Sequence, residues 1–386
     1  MSARRVVWAL AAVALALAVL AYVMAPYARS AAFVADLAGV DAWWRALLPI
    51  RARTVTTRDL VIPTRHGPIP SRLYEPDGAP LGSLIVYPGI HAGGVDEPRL
   101  TMFARRLAAS GVRTITVPLP DLRVYRIRTA STDAIEDTAL EMARNPGIAT
   151  NGRVGLVGIS FAGGLALVAA GRPALRDKLT LVVSLGGHAD LPRVMTYLCT
   201  GRLPDGSSRT PHDYGVVVVL LATLSKLVPA DQVPALERAI LTFLDASSYA
   251  DSDRAGAAAL LADTQRQLDT MPEPSRSLMT QVIARDAPAV GQRMLPFVEE
   301  IGGAPDLSPA RSPATTAPVF LLHGLDDNVI PSVETVFAAE YLRARGNGDV
   351  RLLRTPLISH ADLADDLKIG DTWRLISFWT EMLRRR

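Results

Sequence analysis

One cysteine, Cys199, is all that 386 residues contain. An intramolecular disulfide is excluded, as is a metal site built on clustered cysteines, and the redox compartment stays open. Aromatic residues are sparse at 6%, and no arginine stripe is interleaved with them. The net charge of +3 therefore carries no nucleic-acid footprint, and no nucleic acid is expected as a partner. The one prominent glycine turn lacks Gly-x-Gly-x-x-Gly spacing, and no Gly-Lys-Ser/Thr follows it. No cofactor and no metal are expected. No internal repeat stands out. What the chain does have is apolar mass: 49% hydrophobic residues, in a length that suits one large domain with an insertion or two modest domains.

The first of the long features is an uncharged apolar run from Val6 to Met24, preceded by Arg4 and Arg5. At helical rise it covers about 28 Å, close to the thickness of a bilayer's hydrocarbon core and longer than a usual signal-peptide core. An uncleaved membrane anchor is the expectation, since Pro26 disfavours cleavage after Ala25. The alternative is a cut near Ser30 or Ala32 that releases a secreted or periplasmic protein. Two arginines before the run against Arg29 soon after it put the N-terminus in the cytoplasm and the bulk of the chain outside. Residues 31–53 then carry Phe33, Val34, Leu37, Val40, Trp44, Leu47 and Leu48 at helical spacing, an amphipathic pattern. Trp43, Trp44, Arg45, Arg51 and Arg53 would suit the headgroup layer, and packing against the rest of the chain would suit the same pattern.

From residue 54 the pattern turns globular. Thr54–Pro63 and Ile69–Tyr74 read as a hairpin around His66-Gly67-Pro68. Short apolar strands follow at Ser83–Tyr87, Thr114–Val117, Val154–Gly158, Leu179–Leu185, Val319–Leu322 and Val350–Arg354. Helical patterns near 97–110, 133–144, 161–171, 333–345 and 371–384 alternate with them. Such alternation calls for a mostly parallel sheet with helices on both faces. The stretch 191–316 breaks the rhythm with helix-like segments such as Val216–Leu227, Asp253–Leu268 and Ser275–Ala284, and reads as a helical cap inserted between core strands. Its Val216–Leu221 run suits either an apolar pocket wall or a buried helix.

The run Val154-Gly-Leu-Val-Gly-Ile-Ser-Phe-Ala-Gly-Gly164 is a buried strand, a glycine turn, one serine and the apolar start of a helix. A serine at such a corner is exposed beside the amides of a helix N-terminus, although serine is also an ordinary helix N-cap. The run resembles the Gly-x-Ser-x-Gly elbow of the α/β-hydrolase superfamily, with Gly158 and Ser160 matching and Ala162 in place of the second glycine. The segment Val319-Phe-Leu-Leu-His-Gly-Leu-Asp-Asp-Asn-Val-Ile-Pro331 resembles the family's acid loop, which puts the acid at Asp327, with Asp326 a solvated neighbour and Asp190 a reserve. His360, in Leu357-Ile-Ser-His-Ala-Asp362, falls where the family's catalytic histidine lies. His66 and His91 precede the serine, and His188 and His212 precede Asp327, so they break the family order. His323 sits too close to Asp327 in sequence to serve easily.

The resemblance implies a division of labour. His360 would take the Ser160 proton, Asp327 would orient the imidazole, and the backbone N–H groups of Phe161 and Ile90 would form the oxyanion hole. Ile90 lies in the glycine-rich loop Pro88-Gly-Ile-His-Ala-Gly-Gly94. The fold expected is therefore an α/β-hydrolase core, residues 54–190 and 317–386, with a helical cap at 191–316. A membrane anchor at 1–30 and a juxtamembrane helix at 31–53 precede it. The function implied is a membrane-anchored serine hydrolase acting on carboxylic esters, with a small-molecule or lipid-like acyl substrate. Peptide or amide cleavage, and acyl transfer, would use the same triad. A non-catalytic binding protein of this fold would be expected to lack a triad member. Neither natural substrate nor oligomeric state is legible.

Overall fold

The structure is a computed structural model that describes residues 3–40, 52–149, 151–249, 253–358 and 368–385. Eight strands form one sheet: β1 (Val55–Ile62), β2 (Ile69–Pro76), β3 (Ser83–Tyr87), β4 (Arg113–Thr116), β5 (Val154–Ile159), β6 (Leu179–Leu185), β7 (Val319–Gly324) and β8 (Val350–Thr355). Their spatial order is β1-β2-β4-β3-β5-β6-β7-β8. The β1–β2 hairpin is antiparallel, with Ile62 opposite Ile69, and β2 meets β4 antiparallel. From β4 through β8 every pairing is parallel. This is the α/β-hydrolase fold that the resemblance implies.

The strand sequences explain their places. β3 and β7 are buried along their whole length and read as continuous apolar runs, as strands covered on both faces must. β1 is mostly exposed and carries Thr56, Thr57, Arg58 and Asp59, polar residues that suit an edge. Alternate residues feed two cores. Leu84, Val86, Val157, Leu181, Val183, Phe320 and Leu322 point to one, against the helices Pro98–Ala109 and Ile369–Arg384. Ile85, Tyr87, Leu156, Val182 and Leu321 point to the other, against Thr129–Arg144, Phe161–Ala170 and Val333–Ala344.

The N-terminal helix runs unbroken from Ala3 to Leu37. Pro26 lies inside it and removes one backbone donor, yet the helix continues. The position between residues 30 and 31, expected to separate anchor from juxtamembrane helix, thus falls within one element. Its outer half is exposed and apolar, with mean hydropathy 2.1 over a membrane-length window and none of that window buried. Its inner end docks on the sheet's helices. Ser30, Phe33 and Val34 are buried, Phe33 packs edge-on to Trp379 at 5.0 Å, and Tyr27 stacks on Trp373 at 5.4 Å. Arg106 reaches Asp36 at 3.4 Å. Burying a phenylalanine such as Phe33 is worth about 2 kcal/mol, so this end is held by packing. Trp43, Trp44, Arg45, Leu47, Leu48 and Arg51 lie outside the described residues. Arg53 is turned to the carbonyls of Asp77 and Ala79, at 3.1 and 2.7 Å.

Between β6 and β7 the chain forms helices at Leu191–Thr200, Asp213–Leu227, Val233–Tyr249, Arg254–Asp269, Ser275–Ile283, Ala287–Met294 and Val298–Gly302. Aspartates start several of them: Asp190 accepts from Arg193 N, Asp253 from Gly256 N and Asp286 from Ala289 N. Val216 to Leu221 are all buried, as expected of a helix covered on every side.

Candidate active site

Ser160 sits between β5 and the helix Phe161–Ala170 with φ +56° and ψ −132°. A non-glycine residue held at positive φ carries backbone strain, which persists where the surroundings impose it. The surroundings do so here. Ser160 N donates to Leu185 O at 2.7 Å and its carbonyl accepts from Gly163 N at 2.8 Å. A Cβ on Gly158 would collide with the Ala162 carbonyl, and one on Gly163 would stand 2.5 Å from Ser184 Oγ. Glycine is thus required at those two positions, and the methyl of Ala162 fits at the place where the motif departs from the family pattern. Ser160 occupies the N-cap position, yet its side chain makes no capping hydrogen bond to the helix. The ordinary role of an N-cap serine is not the one it plays.

The loop after β3 lies against this corner. A Cβ on Gly89 would be 2.9 Å from Ser160 Cβ and 3.5 Å from its Oγ, so the backbone itself must approach the serine there. Ile90, expected as an oxyanion donor, is the next residue, and Phe161, the other expected donor, opens the helix. His91 is fixed within the loop by Gly93 N at 3.0 Å on its Nδ1. Burial pushes its pKa down, against the opposing pull of Glu97 and Asp245. Asp245 comes from the helix Val233–Tyr249 and receives the Tyr125 hydroxyl at 3.2 Å. Its own pKa is raised by burial, with Tyr125 and His91 acting the other way.

Asp327 follows β7 and is buried, whereas Asp326 beside it is exposed. Its Oδ1 accepts from Val329 N and Ile330 N at 2.8 and 2.9 Å. Its Oδ2 lies 3.2 Å from Nε2 of His323, a buried ring that also donates to Ile330 O at 2.9 Å and meets Thr335 Oγ1 through Nδ1. His323 thus props the acid loop from below. Sequence reasoning missed a second support that comes from the insertion. Arg209 Nη1 donates to the carbonyls of Leu325 and Asp327, each at 3.0 Å. Tyr197 Oη and His212 N both donate to Asn328 O, at 3.1 and 2.9 Å. No local pattern marks these residues, because their partners lie more than 100 positions away.

The reserve acid, Asp190, is engaged elsewhere. One oxygen caps Arg193 N at 3.0 Å and the other takes Arg311 Nε at 2.6 Å. His188 lies wholly buried behind the serine helix, with its ring 5.8 Å from that of Phe161 and its Nε2 donating to Leu307 O at 2.8 Å. Burial lowers its pKa and keeps it neutral. Burial also pushes the Cys199 thiol up to about 12, which makes it inert as a nucleophile. His66, in the turn between β1 and β2, pairs with Asp133 of the helix Thr129–Arg144 at 2.9 Å. His360 lies outside the described residues, which end before it at Ile358. Among the described residues no group of three metal-ligating side chains occurs.

No family model and no curated protein matches the chain. Solved structures similar to it include an esterase of Pyrobaculum calidifontis, 18% identical, covering 88% of this chain and 89% of that one at a TM-score of 0.48. The rice cell wall degrading esterase LipA of Xanthomonas oryzae is 14% identical, covering 86% and 91%, at 0.48. An acylaminoacyl peptidase of Pyrococcus horikoshii is 12% identical, covering 89% of this chain and 43% of that one, at 0.46. The fold itself rests on the strand order and on the strand–serine–helix corner.

Proposed function

We propose that the chain is a membrane-anchored serine hydrolase that cleaves carboxylic esters through Ser160, His360 and Asp327. The observation that carries the reading is the backbone of Ser160: a strained, tightly packed corner that presents a serine without using it as a helix cap. His360 removes the Ser160 proton as Oγ attacks the ester carbonyl. The negative oxygen of the tetrahedral intermediate is received by the N–H groups of Phe161 and Ile90. His360 then protonates the departing alcohol, leaving an acyl-enzyme. Water, activated by the same imidazole, releases the acid and restores Ser160. Asp327 fixes the imidazole's orientation and stabilises its charged form. The support of the Asp327 loop by His323, Arg209, Tyr197 and His212 favours this role over that of a turn residue.

The exposed apolar half of the N-terminal helix is the proposed anchor, with its N-terminus in the cytoplasm and the sheet outside. The same helix runs on into the packed residues Phe33 and Val34, so one continuous helix joins the proposed anchor to the catalytic core.

The test is labelling with a tagged fluorophosphonate, alongside turnover of p-nitrophenyl esters and the matching anilides. Wild type should label and should cleave the esters well above the anilides, and Ser160→Ala should do neither. Folded wild-type protein that neither labels nor turns over an ester contradicts the reading, and a preference for anilides moves the activity to amides.

A further inference from the structure

Large hydrophobic side chains left in water mark a contact surface when they gather in one place. Among the described residues Ile369 is the most exposed of them, at 89%, and Trp373 is 49% exposed. Both lie at the start of the helix Ile369–Arg384, four residues apart and so on one face. That face meets the N-terminal helix at a defined point. The Trp373 ring stacks on Tyr27 at 5.4 Å with the two planes 9° apart, and the Arg384 guanidinium stands over the same Tyr27 ring at 5.2 Å. Tyr27 lies where the N-terminal helix passes from open to packed. Tyr22, Val23 and Met24 before it are exposed, whereas Ser30 and Phe33 after it are buried. The exposed isoleucine and tryptophan are thus set beside the point at which the apolar half of that helix leaves the catalytic core.

We infer that the start of the C-terminal helix lies in the lipid headgroup layer of the membrane that holds the anchor. The catalytic core then touches the bilayer through Ile369, Trp373 and Arg384. The inference rests on the anchor reading above. Its depth follows from helix geometry. Met24 and Tyr27 are separated by about 4.5 Å of helical rise, and the headgroup layer on each side of the hydrocarbon is roughly 5–7 Å thick. With the apolar run in the hydrocarbon, the Tyr27–Trp373 stack falls among the headgroups. The side chains suit that layer. Tyrosine and tryptophan gather there because each joins an apolar ring to a polar edge. Cationic side chains pair with lipid phosphates. Arg29, close after Tyr27, is exposed, and so are Lys368, Arg374 and Arg384 on or beside the C-terminal helix. The carboxylate in these first turns, Asp371, lies 3.8 Å from Arg374.

The test reads the depth of a dye on full-length protein in vesicles of phosphatidylcholine with a minor share of phosphatidylglycerol. Cys199 is the single native cysteine and is buried, so a thiol-reactive dye goes to an introduced site. Three variants are labelled separately: Ile369→Cys at the patch, Val13→Cys in the apolar run and Asp205→Cys on an exposed loop of the insertion. All three side chains are exposed, so none of the changes disturbs the core. A nitroxide on the lipid headgroup should quench the patch dye several-fold more than the loop dye, and aqueous iodide should quench it several-fold less. A nitroxide halfway down the acyl chain should quench the anchor dye. A patch dye that iodide reaches as freely as the loop dye overturns the inference. So does a patch dye shielded from iodide yet untouched by lipid nitroxide, which would mean that protein covers the surface. Failure of the anchor reading looks different: the Val13→Cys dye is then quenched by no lipid nitroxide, whatever the signal at the patch.

Discussion

Asp190 and Asp327 stand just beyond the ends of neighbouring strands, β6 and β7, and both are largely buried, yet their carboxylates have opposite surroundings. Asp190 faces cations and a helix start: Arg311 holds one oxygen and Arg193 N the other. The Asp327 carboxylate is held in another way. Two backbone N–H groups hold its Oδ1, a histidine lies by Oδ2, and Arg209 reaches the backbone carbonyl and not the carboxylate. A carboxylate paired with an arginine is a poor orienter of an imidazole, because its charge is already matched. A carboxylate fixed by backbone donors keeps its charge for a further partner. Position at a strand end does not separate the two; the partners do.

Glu334 ties the two loops together. It lies at the start of the helix after the Asp327 loop, is nearly inaccessible, and accepts from Ala189 N at 2.9 Å and Asp190 N at 3.0 Å. Arg193 completes the set at 2.5 Å. Through Glu334 the β6 loop and the β7 loop share one buried charge.

These differences can be broken one at a time. Asp327→Asn keeps an acceptor for Val329 and Ile330 but loses the charge, so kcat should fall by about 10⁴-fold, with a small change in Tm. Steady-state kinetics on an ester, with a melting curve, checks both halves. Glu334→Ala leaves two N–H groups and the Arg193 guanidinium without their partner, and should cost about 3–5 kcal/mol of stability in denaturant titration. Asp190→Ala removes a cap and a half-buried ion pair, about 2 kcal/mol in the same titration, while kcat per reactive serine stays within a few-fold. If Asp190→Ala abolished turnover in folded protein and Asp327→Asn did not, the roles of the two loops would be reversed.

Much of the fold was legible because local pattern decides it. The buried strands Ser83–Tyr87 and Leu179–Leu185 are apolar runs bounded by turn residues, and their observed limits coincide with the expected ones. The serine corner was legible because crowding at Gly158 and Gly163 leaves a chemical trace, the absence of a side chain. Other features had no such trace. The helix Val233–Tyr249 is absent from the expected segments, since Pro234 and a string of mixed residues blur its pattern. The boundary expected between residues 30 and 31 falls within one helix, Ala3–Leu37, because Phe33 and Val34 pack in one apolar cluster with the C-terminal helix and favour a continuous element. The fate of Asp190 depends on Arg311, 121 residues away, and local sequence does not carry that.

The most direct measurement is the position of the acyl group during turnover. Full-length protein mixed with p-nitrophenyl acetate, quenched in acid and mapped by mass spectrometry, should carry the acetyl group on Ser160 and lose it in Ser160→Ala. An acetyl group mapped to another side chain, or ester turnover that persists in Ser160→Ala, would contradict the account.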